Sequence, residues 1–471
     1  HYDAKKILFS YRKGTSNHFK LYEVDIDGKN LKLLPMTGDW DDFEPCYMPN
    51  GDILYISNRQ PKTVQCLFVP ANNLHRWYSK ENMIRNISVN PDQDDTPALL
   101  KDGRVVYMRW DYNQRSQVSF HHLWAMNPDG SNNTVFLGNK RPGGLFLAAK
   151  PVPDKDEIVF TLGTGHGQTD SRGFPAKMKI GADPSDEHAF DIIVGGYSNQ
   201  FFDPFPLGKG FYLTTNGTNI VIMDDFGHIF TGFKLPGDLF KSEHKVLTLT
   251  HKNNVPCKMF MRDVQPLRPR PREYLIPDKA DFSKKTAVIS LIDIYNGREM
   301  QSVKKGSVKK LLITEVLPEP VHYHGGMHPI SNGGGFILER IWGTVPVEED
   351  GSAMFEVPSG MPLSFSALDK DGKLIKKMQS SVGFSPATST SCIGCHEKRT
   401  EAPTLTNTPL SFTKGVQKIT PFKGRKQPFV VDLTRDLQPI FDKHCVKCHN
   451  SVDLKGSLSL EKGLNANNVL N

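Results

Sequence analysis

Between residue 7 and about residue 265 the chain repeats itself with a period near 50 residues, and this limits what it can fold into. The stretch PCYMPNGDILY (45–55) aligns with PALLKDGRVVY (97–107) at an offset of 52. Each has a proline, a glycine six positions later, and then alternating apolar residues. A second element recurs as LYEVDIDG (21–28), LFVPANN (67–73), LWAMNPDG (123–130) and IVIMDDFG (220–227). Each unit reads as short strands of period two between Asp-Gly, Asn-Gly or Pro-Asp turns. Such a sheet buries its faces only against neighbouring copies, and a period of this length is that of a propeller blade. The reading is a mainly β chain opening with a β-propeller of about six blades over residues 1–270.

Beyond the repeat, PLRPRPREYLIP (266–277) alternates proline with arginine, which forbids helix and favours a stiff, extended connection. Residues 271–400 read as a β-sandwich-like middle domain. TAVISLIDIY and KKLLITEV are strand-like, and two Asp-Gly turns break the run 343–375. Residues 401–471 read as a small, mostly α, cytochrome c-like segment. Pro439 fits only a first helical turn, so a helix is expected to begin near Leu437, with Asp436 as its cap, and to run into residue 445. The loop-like SVDLKGSLSL that follows leaves this segment incomplete, and the natural chain is expected to continue past Asn471.

Composition excludes several classes. With 471 residues, 38% apolar and 10% aromatic, the chain is globular and multidomain. No stretch approaches the roughly 18 apolar residues of a membrane span, and the opening HYDAKKILFS has no signal-peptide apolar region. The mature chain is expected to be soluble. The net charge of +7 is scattered, which argues against nucleic acid as a partner. The densest basic piece, VKKGSVKK (303–310), reads as a solvated strand edge.

The distinctive chemistry lies in the cysteines. SCIGCH places Cys392 and Cys395 either side of a dipeptide with His396 next, and HCVKCH repeats the pattern with Cys445, Cys448 and His449. A shared four-cysteine zinc site is disfavoured, because 49 residues lie between Cys395 and Cys445 where such sites have roughly 15 to 20. A thioredoxin-like dithiol needs a βαβ setting that is missing here. Covalent c-type haem explains every fixed residue: two thioether bonds at set spacing, and an adjacent histidine to ligate iron. Two haems are therefore expected, with His396 and His449 as proximal ligands. His322, His324 and His328 in VHYHGGMHP are candidate distal ligands or exposed loop histidines. Such attachment takes place outside the cytoplasmic membrane, so the chain is expected to be bacterial, exported, and periplasmic or cell-surface. There Cys46 and Cys66 could pair as a disulfide or stay as buried thiols, leaving Cys257 over.

The run GTVPVEEDGSAMFEVPSGMPLSFSALDKDGKLIKKMQSSVGFSPATSTSCIGCHEKR (343–399), preceded by HYHGGMHPI (322–330), resembles the middle domain of the hydrazine synthase alpha-subunit family. The resemblance implies a propeller, a β-rich domain ending in one c-type haem, and a domain carrying a second. It also implies attachment through Cys392 and Cys395, and through Cys445 and Cys448. In hydrazine synthase a tyrosine four residues after the first motif histidine ligates the iron while that histidine binds zinc. Thr400 stands at that position here, so the resemblance implies architecture and haem content but not hydrazine formation. Zinc or calcium is a further cofactor that such a chain could hold. The functional reading is a dihaem redox protein: the first haem a reaction centre for a small molecule, the second a relay to partner cytochromes or other haem subunits. The alternative is a non-catalytic electron carrier or propeller-based binding protein with both haems six-coordinate.

Overall fold

The computed structural model describes residues 1–462 apart from 14–17, 37, 66–68, 114, 117, 139–142, 164, 166–171, 197–199, 235–244, 249–250, 257–260, 298, 320–337, 396–406 and 426–427, and for 245–248 and 251–256 the backbone alone. The repeat folds as blades. The first has the strands Lys6–Tyr11, Lys20–Asp25 and Lys32–Leu33. Four-stranded antiparallel blades then open at Asp42, Asp94, Leu145 and Phe202, about every 50 residues. A two-stranded sheet, Lys245–Thr248 with His251–Pro256, makes a sixth unit among the described residues.

The repeated sequence signal is a tight turn between a blade's first two strands. Gly51 donates its backbone N–H to Met48 O at 3.0 Å and Gly103 to Leu100 O at 2.9 Å, with φ of 91° and 89°. Only glycine adopts that backbone without strain, which is why the motif recurs. The reading of LFVPANN as a copy of the element that forms His121–Met126 and Asn219–Asp224 is corrected: the corresponding strand of the second blade is Asn73–Tyr78, some residues later. Its sequence NLHRWY has the right periodicity but lacks the acidic turn that made the other copies visible.

The blades' first strands contact one another in succession and so surround the propeller axis. In the four-stranded blades this strand is bulged where a non-glycine residue takes positive φ: Glu44, Thr96, Ala148 and Asp203. The bulges tie blade to blade. The Thr96 N–H donates to the Glu44 carboxylate, and the Ala148 N–H donates to Thr96 Oγ1 at 3.2 Å.

The Pro/Arg linker is an extended strap over the early blades. Arg270 N–H donates to Tyr2 O at 3.0 Å and Tyr274 N–H to Lys101 O at 2.9 Å, while the Arg270 guanidinium stacks on Tyr2. The middle domain is a sandwich of a three-stranded sheet (Ala353–Pro358, Thr286–Leu291, Ser389–Cys392) and a five-stranded one (Leu374–Lys377, Leu363–Leu368, Lys310–Val316, Glu339–Pro346, Phe429–Val430). Inward residues of both sheets, among them Ile289, Phe355, Ile313 and Val345, form one core. The basic run 303–310 is a solvated turn entering Lys310–Val316, a strand paired on both sides, and so not a sheet edge as expected. Among the described residues no helix is long and apolar enough to cross a membrane.

Candidate functional site

The first motif is delivered by a strand. Ser389–Cys392 runs parallel to Thr286–Leu291, with Cys392 opposite Leu291. The ladder continues through the motif: Ile292 N–H donates to Cys392 O, Asp293 N–H to Ile393 O and Cys395 N–H to Asn296 O, each at 3.0 Å. The dipeptide between the cysteines lies directly on the turn Tyr295-Asn296-Gly297. A Cβ on Gly394 would sit 1.7 Å from Asn296 O, and one on Gly297 would sit 1.8 Å from Cys395 O. Cys392 and Cys395 are half-buried against the sandwich core near its end. That seat was not foreseen, although Asn296-Gly297 is a turn signal in the sequence. His396, Thr400, His322, His324 and His328 lie outside the described residues.

The second motif follows a helix. Asp432 accepts a hydrogen bond from Arg435 N–H at 2.6 Å, opening the turn Leu433–Leu437, and the α-helix Gln438–His444 follows with Pro439 in its first turn. The expected cap, Asp436, is corrected. Its carboxylate takes ion pairs from Arg425 and Arg435, and its side chain also accepts from Asp432 N–H at 2.9 Å. Those hydrogen bonds, Arg435 foremost, hold its carboxyl far below the usual range. The helix ends at the motif, where Cys445 N–H donates to Phe441 O at 2.8 Å and the N–H groups of Cys448 and His449 both reach Cys445 O at 3.0 Å.

The loop after the motif then folds back. Leu460 N–H donates to His449 O at 2.9 Å, and Gln438 Nε2 donates to Leu460 O at 2.9 Å. Within this loop His449 Nδ1 lies 2.8 Å from Lys455 O. A carbonyl only accepts, so Nδ1 carries a proton, and in the neutral ring Nε2 holds the lone pair. Cys445 and Cys448 are free thiols, the latter exposed. Around them Val431, Leu433, Ile440, Val452, Leu454 and Leu458 leave between 38% and 88% of their surface in water. Apolar surface left in water on this scale marks a contact face.

Elsewhere Cys46 is a free thiol, half-buried against the second blade's core and pushed up to about 11 by burial. Cys66 and Cys257 lie outside the described residues. Among the described residues no group of three or more His, Cys, Asp or Glu is placed to hold a metal ion.

Residues 306–397 match the family model described as the hydrazine synthase alpha subunit middle domain. The middle of the chain is hydrazine synthase alpha-like. The matched region ends just past His396, so it includes the first motif and excludes the second. Over its whole length the chain superposes on a chain of Kuenenia stuttgartiensis hydrazine synthase with a TM-score of 0.72, at 16% identity, covering 99% of this chain and 75% of that one. The two share their fold from the propeller to the second motif. At much lower TM-scores a gluconolactonase from Xanthomonas campestris (0.33, 12% identity, 46% and 69% covered) and virginiamycin B lyase from Staphylococcus aureus (0.29, 15% identity, 49% and 73% covered) also align. No curated protein matches the sequence.

Proposed function

We propose that the chain is an exported dihaem c-type cytochrome of the hydrazine synthase alpha-like group, acting in small-molecule redox chemistry. Cys392 and Cys395 would hold one haem and Cys445 and Cys448 the other, with His396 and His449 as axial ligands. The observation that carries the reading is the His449 ring, turned by its Nδ1–H bond to the Lys455 carbonyl so that Nε2 presents a lone pair beside two free thiols. Imidazoles that ligate metals are oriented by such a bond, which also raises their basicity. When bound, the haems supply one-electron transfer and, where an axial position is open, ligation of a small molecule.

The chain's own residues divide the work. The first motif sits on the sandwich, its backbone fixed by three ladder bonds to 292–296, which suits a site whose geometry must be held. The second sits in a partly exposed segment, which suits contact with a soluble redox partner. Export follows from the attachment chemistry. Partner cytochromes or further haem subunits would complete the electron path, and zinc or calcium is the alternative occupant of the first motif's surroundings.

The test is a pyridine haemochrome assay with intact mass on the purified protein, then the reduced spectrum with and without carbon monoxide. Two covalent haems are expected, one lost in Cys392→Ser/Cys395→Ser and the other in Cys445→Ser/Cys448→Ser. His449→Ala should keep its thioether-linked haem but convert it from low to high spin. Carbon monoxide binding at one haem of the unmodified protein marks a reaction centre. If neither haem responds, the chain is a carrier, and protein free of haem with bound zinc would sink the reading altogether.

A further inference from the structure

A cavity of about 320 Å³ opens where the propeller meets the sandwich, away from both cysteine motifs. Its walls come from the second blade (Arg85, Asn86), the third (Asn133), the end of the linker strap (Phe282, Lys284) and the sandwich segments 359–360 and 383–386. The volume suits a small ligand better than a single trapped water. The seam is closely built around it. A Cβ on Gly383 would sit 1.8 Å from Val89 Cγ2, and Ser385 Oγ donates to Asp129 O at 3.1 Å.

The polar lining is one-sided. Asn86 Oδ1 accepts from Ser88 N–H at 3.3 Å and Asn133 Oδ1 from the Tyr107 hydroxyl at 3.1 Å, which leaves the amide N–H₂ of each to donate. The acidic member of the lining is already engaged. Asp129 accepts from Ser131 on one oxygen and from Lys279 and Ala280 N–H on the other. Burial raises its carboxyl, but these bonds outweigh burial and hold it below the usual range, so it stays a satisfied anion. Arg85 is the reverse. Its guanidinium lies 4.8 Å from the Phe282 ring centroid, and its buried Nε has no hydrogen-bond partner among the described residues. A buried N–H without an acceptor is costly, and here it lines the same cavity as two spare amide donors.

We propose that this cavity binds a small oxyanion, of the carboxylate, sulfate or phosphate type, between Arg85, Asn86 and Asn133, with the exposed Lys284 at its rim. Such an anion would bridge propeller and sandwich. Because the segment 383–386 leads directly into the strand Ser389–Cys392, occupancy would also stiffen the approach to the first motif. The proposal does not depend on haem content.

The test is isothermal titration of the whole purified chain with acetate, sulfate and phosphate, against sodium chloride at matched ionic strength. One anion is expected to bind saturably at one per chain, and the order among the three tells a planar from a tetrahedral site. Arg85→Gln and Asn133→Asp should weaken that binding about tenfold or more, while Lys370→Gln, on a distant exposed turn, leaves it unchanged. Asn133→Asp keeps the acceptor for Tyr107 and so preserves the fold. Should Arg85→Gln not fold, Lys284→Gln replaces it, with a smaller loss expected. No saturable binding by any of the three anions, or equal binding in the Arg85 and Asn133 variants, overturns the proposal.

Discussion

Gly394 shows how little freedom the first motif has. Its backbone passes so close to the Asn296 carbonyl that an added methyl carbon would lie 1.7 Å from that oxygen. Gly394→Ala must therefore push the motif off the 295–297 turn and break the Cys395 N–H bond to Asn296 O. It should destabilise the sandwich by about 3 kcal/mol or more, at the upper end of single substitutions. Urea unfolding of the variant measures this, and a cost below about 1 kcal/mol would show that the turn yields freely. The sequence displayed the cysteines and histidines at once, because their types and spacing are fixed by chemistry. It did not display their supports. Lys455 orients His449 through a backbone carbonyl, which any residue supplies, and Asn296 acts on the first motif in the same way.

At the scale of the element, strand periodicity and Asp-Gly or Asn-Gly turns were legible because they reflect local backbone preferences. The bulges of the innermost strands were not: Glu44, Thr96, Ala148 and Asp203 share a conformation but no residue type, so tertiary contact sets them. One bulge has a pH consequence. Glu44 keeps part of its surface exposed, yet the protein packed around it removes much of its hydration. That desolvation comes first and the neighbouring Asp95 charge second, and together they push its carboxyl up to about 8 against the pull of Thr96 N–H. Asp95 is also raised, mainly by burial. The folded state thus keeps a proton that the unfolded chain, with an ordinary glutamate, releases near pH 4.5. Stability associated with this proton is present in acid and declines as pH rises toward 8. Glu44→Gln keeps an acceptor for Thr96 N–H and removes the titration, so the fall in Tm between pH 5 and 8 should be shallower than in the unmodified protein. Identical profiles for the two would show that Glu44 is ionised throughout.

The whole molecule depends on the seam between propeller and sandwich, and Arg109 is its most committed residue. It is 1% exposed, lies 4.3 Å from the Trp124 ring centroid, and donates to Asp111 Oδ1 at 2.9 Å. Its other end crosses to the sandwich and donates to Ser381 O and Oγ at 2.9 and 3.0 Å, while Ser380 Oγ donates back to Asp111 Oδ2 at 2.8 Å. Arg109→Ala leaves Asp111 at this seam, among the described residues, with Ser380 and a longer contact to Arg115 at 3.5 Å. The expected cost is about 3–5 kcal/mol, because the partner charge stays buried. Replacing the pair together, Arg109→Met with Asp111→Leu, removes both desolvation costs and should recover most of that loss. Calorimetry distinguishes what the pair does: if it joins the two domains, Arg109→Ala splits one unfolding transition into two and the double variant restores one. A single cooperative transition in all three proteins would mean that apolar packing and the linker strap hold the domains together without it.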